Sequence, residues 1–149
     1  MKKMLSVIFL LGILTSCGKE KEVTIYGEQI QIKKGVAYKA NHKEPYTGKV
    51  ITIYPTGVLK EELYIKNGKR EGVEKRFYPN GQLKQESNFN NEILQGAKKE
   101  YYSTGVLKEE SNFNNGELDG VRKRYYESGK IYSEEVFING DLKEGKLYN

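Results

Sequence analysis

Residues Tyr78–Phe89 read YPNGQLKQESNF. The pattern returns as YSTGVLKEESNF at Tyr102–Phe113. It returns in looser form as YPTGVLKEELYI at Tyr54–Ile65 and YESGKIYSEEVF at Tyr126–Phe137. Each copy starts 24 residues after the last. A fixed period of roughly 20–50 residues marks an array built from one supersecondary unit. The columns extend beyond the quoted stretch. Gly48, Gly72, Gly96 and Gly120 open the units. Gly57, Gly81, Gly105 and Gly129 form another column, as do Leu59, Leu83, Leu107 and Ile131. Glu62, Glu86, Glu110 and Glu134 follow, then Ile65, Phe89, Phe113 and Phe137, then Asn67, Asn91, Asn115 and Asn139.

Each unit reads as a β-hairpin. In the second, Val73–Tyr78 is one strand and Leu83–Phe89 its partner, with Pro79-Asn80-Gly81 at the corner. Pro presets φ at the first turn position, and Gly takes the left-handed one. A Thr or Ser before the Gly suits a type I turn closed by a glycine bulge. Gly57, Gly81, Gly105 and Gly129 are therefore the structural turn glycines. This turn sets Tyr78 opposite Gln82. Carried along the strands, that register gathers Val73, Lys75, Phe77, Leu83, Gln85, Ser87 and Phe89 on an apolar face. Glu74, Arg76, Tyr78, Lys84, Glu86 and Asn88 fall on a charged face. It sets Arg76 against Lys84, Glu100 against Lys108, and Lys98 against Glu110. A one-residue slip would exchange the faces, so a buried face normally fixes the register.

The predicted fold is all-β: an elongated, antiparallel, single-layer twisted sheet of stacked hairpins, after an N-terminal signal helix. The repeats divide as 48–71, 72–95, 96–119 and 120–144, with a truncated unit at 145–149 that pairs with the final strand. Residues 23–47 supply two or three capping strands, with turns at Gly27 and Gly35. Terminal repeats are usually atypical in such arrays.

Composition agrees with a thin sheet. The chain has 149 residues, and aromatic residues make up 11%, with twelve Tyr and no Trp. Charged residues make up 30%. The formal net charge of +5 includes Lys2 and Lys3 of the leader. Lys and Glu interleave along the rest, with no basic block of the kind a nucleic-acid binder presents.

The N-terminus reads MKKMLSVIFLLGILTSCGKE. Lys2 and Lys3 precede an apolar run, Met4–Leu14. As a helix that run would span about 16 Å, short of the roughly 30 Å of bilayer hydrocarbon. Its length and flanks are those of a secretory signal over residues 1–16. Leu14-Thr15-Ser16-Cys17 resembles a bacterial lipobox, and Cys17 is the only cysteine. The resemblance implies cleavage between Ser16 and Cys17 and lipid attachment at the Cys17 sulfur. Two or more acyl chains anchor where one is marginal. Residues 17–22 would form a tether. Gly18 after the Cys points to the outer membrane if the cell has one. The localisation expected is the bacterial cell envelope.

PYTGKV (Pro45–Val50), followed by YPTGVLKEE, GVEKRFYPNGQLKQE and GAKKEYYSTGVLKEE, resembles the variant MORN repeat of bacterial proteins. Within that class the chain is similar to the group labelled YwqK-family antitoxins. The resemblance implies stacked antiparallel hairpins and no catalytic residues. It also implies roles in protein scaffolding or phospholipid contact.

The residues themselves show little chemistry. Glu61-Glu62, Glu109-Glu110 and Glu134-Glu135 are sequence neighbours, and neighbours on a strand point to opposite faces. They cannot converge on one bond as glycosidase acids do. His42 is the only histidine, so no metal cluster is visible. We therefore expect no enzyme, no metal and no cofactor. Tyr54, Tyr78, Tyr102 and Tyr126 should form a ladder on the charged face. A Tyr buries ring area while keeping a wet hydroxyl, which suits a binding surface. The plainer reading is that the rings cover a thin sheet and pack on Lys stems. The function expected is a lipid-anchored envelope protein whose sheet binds or scaffolds an unknown envelope protein. The alternatives are an antitoxin or immunity-like protein against a toxin-like partner, and phospholipid headgroup binding through Lys75, Lys99 and Lys123. Nucleic acid is not an expected partner.

Overall fold

The computed structural model describes residues 24–148. The signal helix, Ser16, Cys17 and the tether lie outside the described residues. The strands are β1 (Thr24–Tyr26), β2 (Ile30–Lys33), β3 (Val36–Lys39), β4 (Gly48–Ile53) and β5 (Leu59–Lys66). They continue as β6 (Lys69–Arg70), β7 (Gly72–Phe77), β8 (Leu83–Asn90), β9 (Ile93–Tyr101) and β10 (Leu107–Asn114). The last are β11 (Glu117–Leu118), β12 (Gly120–Tyr125), β13 (Ile131–Ile138) and β14 (Asp141–Leu147). One 12-stranded sheet runs β1-β4-β5-β7-β8-β9-β10-β12-β13-β14, with β6 on β5 and β11 on β10. The order follows the chain because each hairpin packs directly on the next. The expected long sheet of stacked hairpins is present.

The turns form as predicted. Gly81 N–H donates to the Tyr78 carbonyl at 2.9 Å, and Tyr78 N–H donates to the Gln82 carbonyl at 2.8 Å. Gly81 sits at φ 85, where a Cβ would be strained. The same two bonds recur at Tyr54, Tyr102 and Tyr126.

The register does not continue as predicted. Phe77 faces Leu83, but Arg76 faces Gln85, Lys75 faces Glu86 and Glu74 faces Ser87. A second bulge, at Lys84, leaves that residue without an opposite. The same irregularity lies at Lys60, Lys108 and Tyr132. It removes the Arg76–Lys84 clash that the simple register imposed. It also cancels the expected Glu100–Lys108 and Lys98–Glu110 pairs, and Lys99 meets Glu110 instead. An extra residue in one strand reverses the parity of everything beyond it. The apolar seam therefore changes sides at the bulge. Face A carries Glu74, Arg76, Gln85, Ser87 and Phe89. Face B carries Val73, Lys75, Phe77, Leu83 and Glu86. The columns Gly48, Gly72, Gly96 and Gly120 stand opposite Ile65, Phe89, Phe113 and Phe137 on face A.

Neighbouring units are tied at both ends of each hairpin. At the turn end, the Tyr54 hydroxyl donates to the Phe77 carbonyl at 2.8 Å. Tyr78 donates to Tyr101 O at 2.7 Å, and Tyr102 to Tyr125 O at 2.8 Å. At the other end, backbone N–H groups of residues 68, 92, 116 and 140 donate to carbonyls of residues 46, 70, 94 and 118 at 2.8–2.9 Å.

The N-terminal cap forms strands, with two differences from the expected array. β1 pairs with β4 in parallel, Thr24 against Lys49 through Tyr26 against Ile51. β2 and β3 form a separate two-stranded sheet. That hairpin adds a local second layer over face A of β4 and β5. The core cluster joins Ala37 of this hairpin to Ile25, Tyr46, Val50 and Ile65. Ala37 N–H donates to the Gly68 carbonyl at 2.8 Å, which docks β3 against the end of the first hairpin.

At the C-terminal end, β14 pairs with β13 as predicted. The phase differs from a unit starting at Gly145. Lys146 faces Glu134, as Lys123 faces Glu110. Tyr148 bonds Glu134 at 2.5 Å, as Tyr125 bonds Glu110 at 2.7 Å. The last unit is thus the standard unit with one residue missing between Leu142 and Lys146.

Candidate functional site

Two regions stand out: face B, and a cleft on face A beneath the cap.

On face B the register aligns one row across successive strands: Glu62, Lys75, Glu86, Lys99, Glu110, Lys123, Glu134 and Lys146. Every internal Lys has a Glu on both neighbouring strands. Lys75 lies 3.6 Å from Glu86, and Lys123 lies 3.1 Å from Glu134. Glu134 is held below the usual carboxylate range, first by the Tyr148 hydroxyl and then by Lys123. Opposite charges facing across strands stabilise a sheet modestly. Beside this row lie Val73, Asn88, Ala97, Asn112 and Val121. Val73 and Val121 are 49% and 46% exposed. The predicted register had buried Val73 among the apolar groups. The bulge leaves it outward.

Tyr54 of the ladder lies beside Glu61 and Arg76 of face A, whereas Glu86, expected on the same face as the tyrosines, falls on face B opposite Lys75. Lys60, Lys84 and Lys108, the bulge residues, stand over the rings of Tyr54, Tyr78 and Tyr102 at 5.6–5.8 Å. Those three hydroxyls hold the next unit. Tyr126 differs: its ring is exposed and packs edge-on against Tyr132, with centroids 5.1 Å apart.

The paired acids separate as strand geometry requires. Glu61 bonds Arg76 at 2.8 Å on face A, while Glu62 bonds Lys49 at 2.9 Å on face B. Glu135 pairs with Arg122. Among the described residues no group of three His, Cys, Asp or Glu is placed to hold a metal ion. His42 is exposed, and its Nδ1 lies 2.9 Å from the Ala40 carbonyl.

The cleft has a volume of about 410 Å³. Its walls are Ile30, Ile32 and Ala37 from the cap, and Val50, Leu63 and Ile65 from the sheet. Thr52, Glu61, Arg70 and Glu92 also line it. Arg70 is clamped. Its Nε donates to Glu92 Oε1 at 2.6 Å, its backbone N–H to Glu92 Oε2 at 2.6 Å, and its Nη1 to Glu74 Oε2 at 3.1 Å. Burial works against the Arg70 charge, but the bonds to Glu92 and Glu74 outweigh it and raise its pKa. Glu74 is only 3% exposed. Of the cleft residues, the sequence marks Ile65 as a repeat column, Glu61 as one of the paired acids, and Gly27 and Gly35 as turns, but it does not bring them together. One signal was present: NEIL at Asn91–Leu94 puts Glu where the other units have Gly68, Gly116 and Gly140. Glu92 keeps the left-handed backbone of that column, at φ 74.

A family model described as "MORN repeat variant" matches residues 46–67, 70–91, 94–115 and 118–139, together more than half of the chain. Among solved structures, the chain is similar to one titled "Glycosylation Associate Protein (Gap123) complex from Streptococcus agalactiae". The identity is 21%, with a TM-score of 0.37, over 84% of this chain and 21% of that one. The chain thus spans about a fifth of the length of that structure's chain. No curated protein matches.

Proposed function

The chain belongs to the MORN repeat variant family, and from that premise we propose that it is a non-enzymatic, lipid-anchored protein of the bacterial cell envelope. Its sheet docks a protein partner through face B. The observation that carries this reading is the row Val73, Ala97 and Val121 beside the Glu–Lys ladder. One small exposed apolar group recurs in each of the last three full units, flanked by charges that already compensate one another; the first unit has Lys49 in that column. Protein interfaces favour such surfaces, since their centres are poor in unpaired charge. The same ladder argues against headgroup binding through Lys75, Lys99 and Lys123, because each lysine has a carboxylate on either side. Attachment through Cys17 would hold the sheet at the membrane surface.

Photo-crosslinking in the native cell tests this. A photoreactive residue at Val73 or Val121 should give a discrete protein adduct in the membrane fraction. One at Gln85, on face A, should not. The Cys17→Ala variant should lose both the membrane fractionation and the adduct. Equal adducts from the two faces refute docking through face B, and membrane retention of Cys17→Ala refutes the anchor.

A further inference from the structure

We propose that the cleft beneath the cap binds a single-chain amphiphile: an unbranched apolar chain that ends in a cationic, ammonium-type head. This site lies on face A and is independent of protein docking on face B.

Four observations converge. The first is size and lining. About 410 Å³ lies within the roughly 300–1,000 Å³ of small-molecule sites, which combine apolar walls with a few placed polar groups. Ile32 contributes to the wall yet is 67% exposed. An apolar side chain on a two-stranded hairpin gains little from that position unless something apolar covers it.

The second is Thr52. It lines the cleft, and its Oγ1 is buried with no hydrogen-bond partner in the protein. Buried hydroxyls are normally satisfied, and each exception asks for a reason.

The third is Glu92. Three units use Gly in its column, and in that column only Glu92 holds a side chain at positive φ. Left-handed backbone is unfavourable for any residue with a Cβ. Strain of this kind persists where surrounding structure uses it. Here the carboxylate reaches back to Arg70 at the cleft.

The fourth is charge. Glu61, Glu92 and Arg70 line the cleft. Glu74 and Arg76 are paired to that set. The charged side chains that line the cleft itself are thus two carboxylates and one guanidinium. Arg70 is poorly placed to take an anion. Two of its nitrogens are engaged by Glu92 and Glu74, and its Cζ lies 3.9 Å from the Phe89 ring centroid. A cation is the complementary head.

The test is calorimetric titration of the full chain with dodecylammonium and, separately, dodecanoate, both below micelle formation. The protein's formal net charge is +5, so non-specific attraction would favour the anion. The proposal expects the reverse: one dodecylammonium per chain, bound about tenfold more tightly than dodecanoate, the effect of a weak, largely screened preference of the carboxylate-rich lining for a cation. Ile32→Asn, at an exposed position, should weaken both probes at least tenfold. Glu92→Gly restores the residue that suits the backbone, so it should fold. It should keep the affinity for the chain while the two heads become equivalent. The proposal is overturned if neither probe binds, if dodecanoate binds as well as dodecylammonium, or if Ile32→Asn leaves both affinities unchanged.

Discussion

Replacing the column tyrosines by Phe removes one oxygen from each and leaves the ring in place. Tyr54, Tyr78 and Tyr102 donate at 2.8, 2.7 and 2.8 Å to carbonyls in the following unit. Tyr126 makes no such bond among the described residues, and its ring packs on Tyr132. The molecule therefore carries its own control. A net hydrogen bond contributes about 1 kcal/mol, and more if its loss orphans a buried carbonyl. Tyr54→Phe, Tyr78→Phe and Tyr102→Phe should each cost about 1 kcal/mol. Tyr126→Phe should cost close to nothing.

Successive straps are two strands apart, roughly 10 Å at the usual strand spacing. Sites that far apart add, so the triple variant should lose about 3 kcal/mol. Urea unfolding followed by far-ultraviolet circular dichroism reads the effect, and each single loss should lower the melting temperature by about 4 °C. Stability in repeat arrays resides largely in the contacts between units. The triple variant should therefore also broaden the transition as the units uncouple. Two results would refute the reasoning: Tyr126→Phe costing as much as the others, or the triple variant unfolding at the wild-type midpoint.

Two further outcomes follow from the geometry. Gly116→Ala should cost about 1–2 kcal/mol for its φ of 85 alone, since the new Cβ comes no nearer than 3.7 Å to Ile93. Gly68→Ala adds a 2.3 Å clash with Val36 Cγ1 and a 3.0 Å approach to the Ala37 carbonyl, so it should cost a further 1–3 kcal/mol, about what overpacking costs. Denaturation midpoints, with proteolysis of β2–β3 as a second readout, decide the matter, and equal costs would mean that the cap does not dock on Gly68. The Tyr125 phenol is pushed up to about 12, first by removal from water and then by its bond to Glu110. A phenol raised in the fold adds stability that is whole below the unfolded value near 10 and is lost as pH climbs toward about 12. Absorbance titration should show a late tyrosinate phase that shrinks in Tyr125→Phe; an unchanged phase assigns it elsewhere.

The repeat was legible because its signals are local. A Pro-Asn-Gly or Ser-Thr-Gly corner fixes φ within three residues, and Gly81 and Gly105 adopt the expected backbone. The face assignment was not legible beyond the corner. Lys84 gives no local sign that it will be skipped, since a bulge is chosen by the whole strand pair. Its gains are a Lys over the Tyr78 ring and a Glu opposite Lys75. Those contacts cross four side chains on two strands, and a period-two count sees none of them. The cleft was hidden for a similar reason. Ile32, Val50 and Glu92 meet only because β2–β3 folds back over β4 and β5, and no repeat column predicts how a cap will fold.

The divided use of the two faces follows from that bulge. Without it, Phe89 and Ser87 would share a side with Val73 and Lys75, and one face would carry all the apolar groups. A single-layer sheet with all its large apolar groups on one face would present a continuous apolar patch, which favours aggregation or a second layer. By switching the seam at each bulge, every unit shields a short apolar stretch on either side with its own Tyr, Arg and Lys stems. A second layer is then required only where the array starts, and there the β2–β3 hairpin supplies it. The cleft lies between that hairpin and the sheet, with Ile30, Ile32 and Ala37 on one side and Val50, Leu63 and Ile65 on the other. Glu92 departs from its Gly column beside that gap. Its carboxylate fixes Arg70 there, so the exception to the repeat and the exception to the single layer share one place in the molecule.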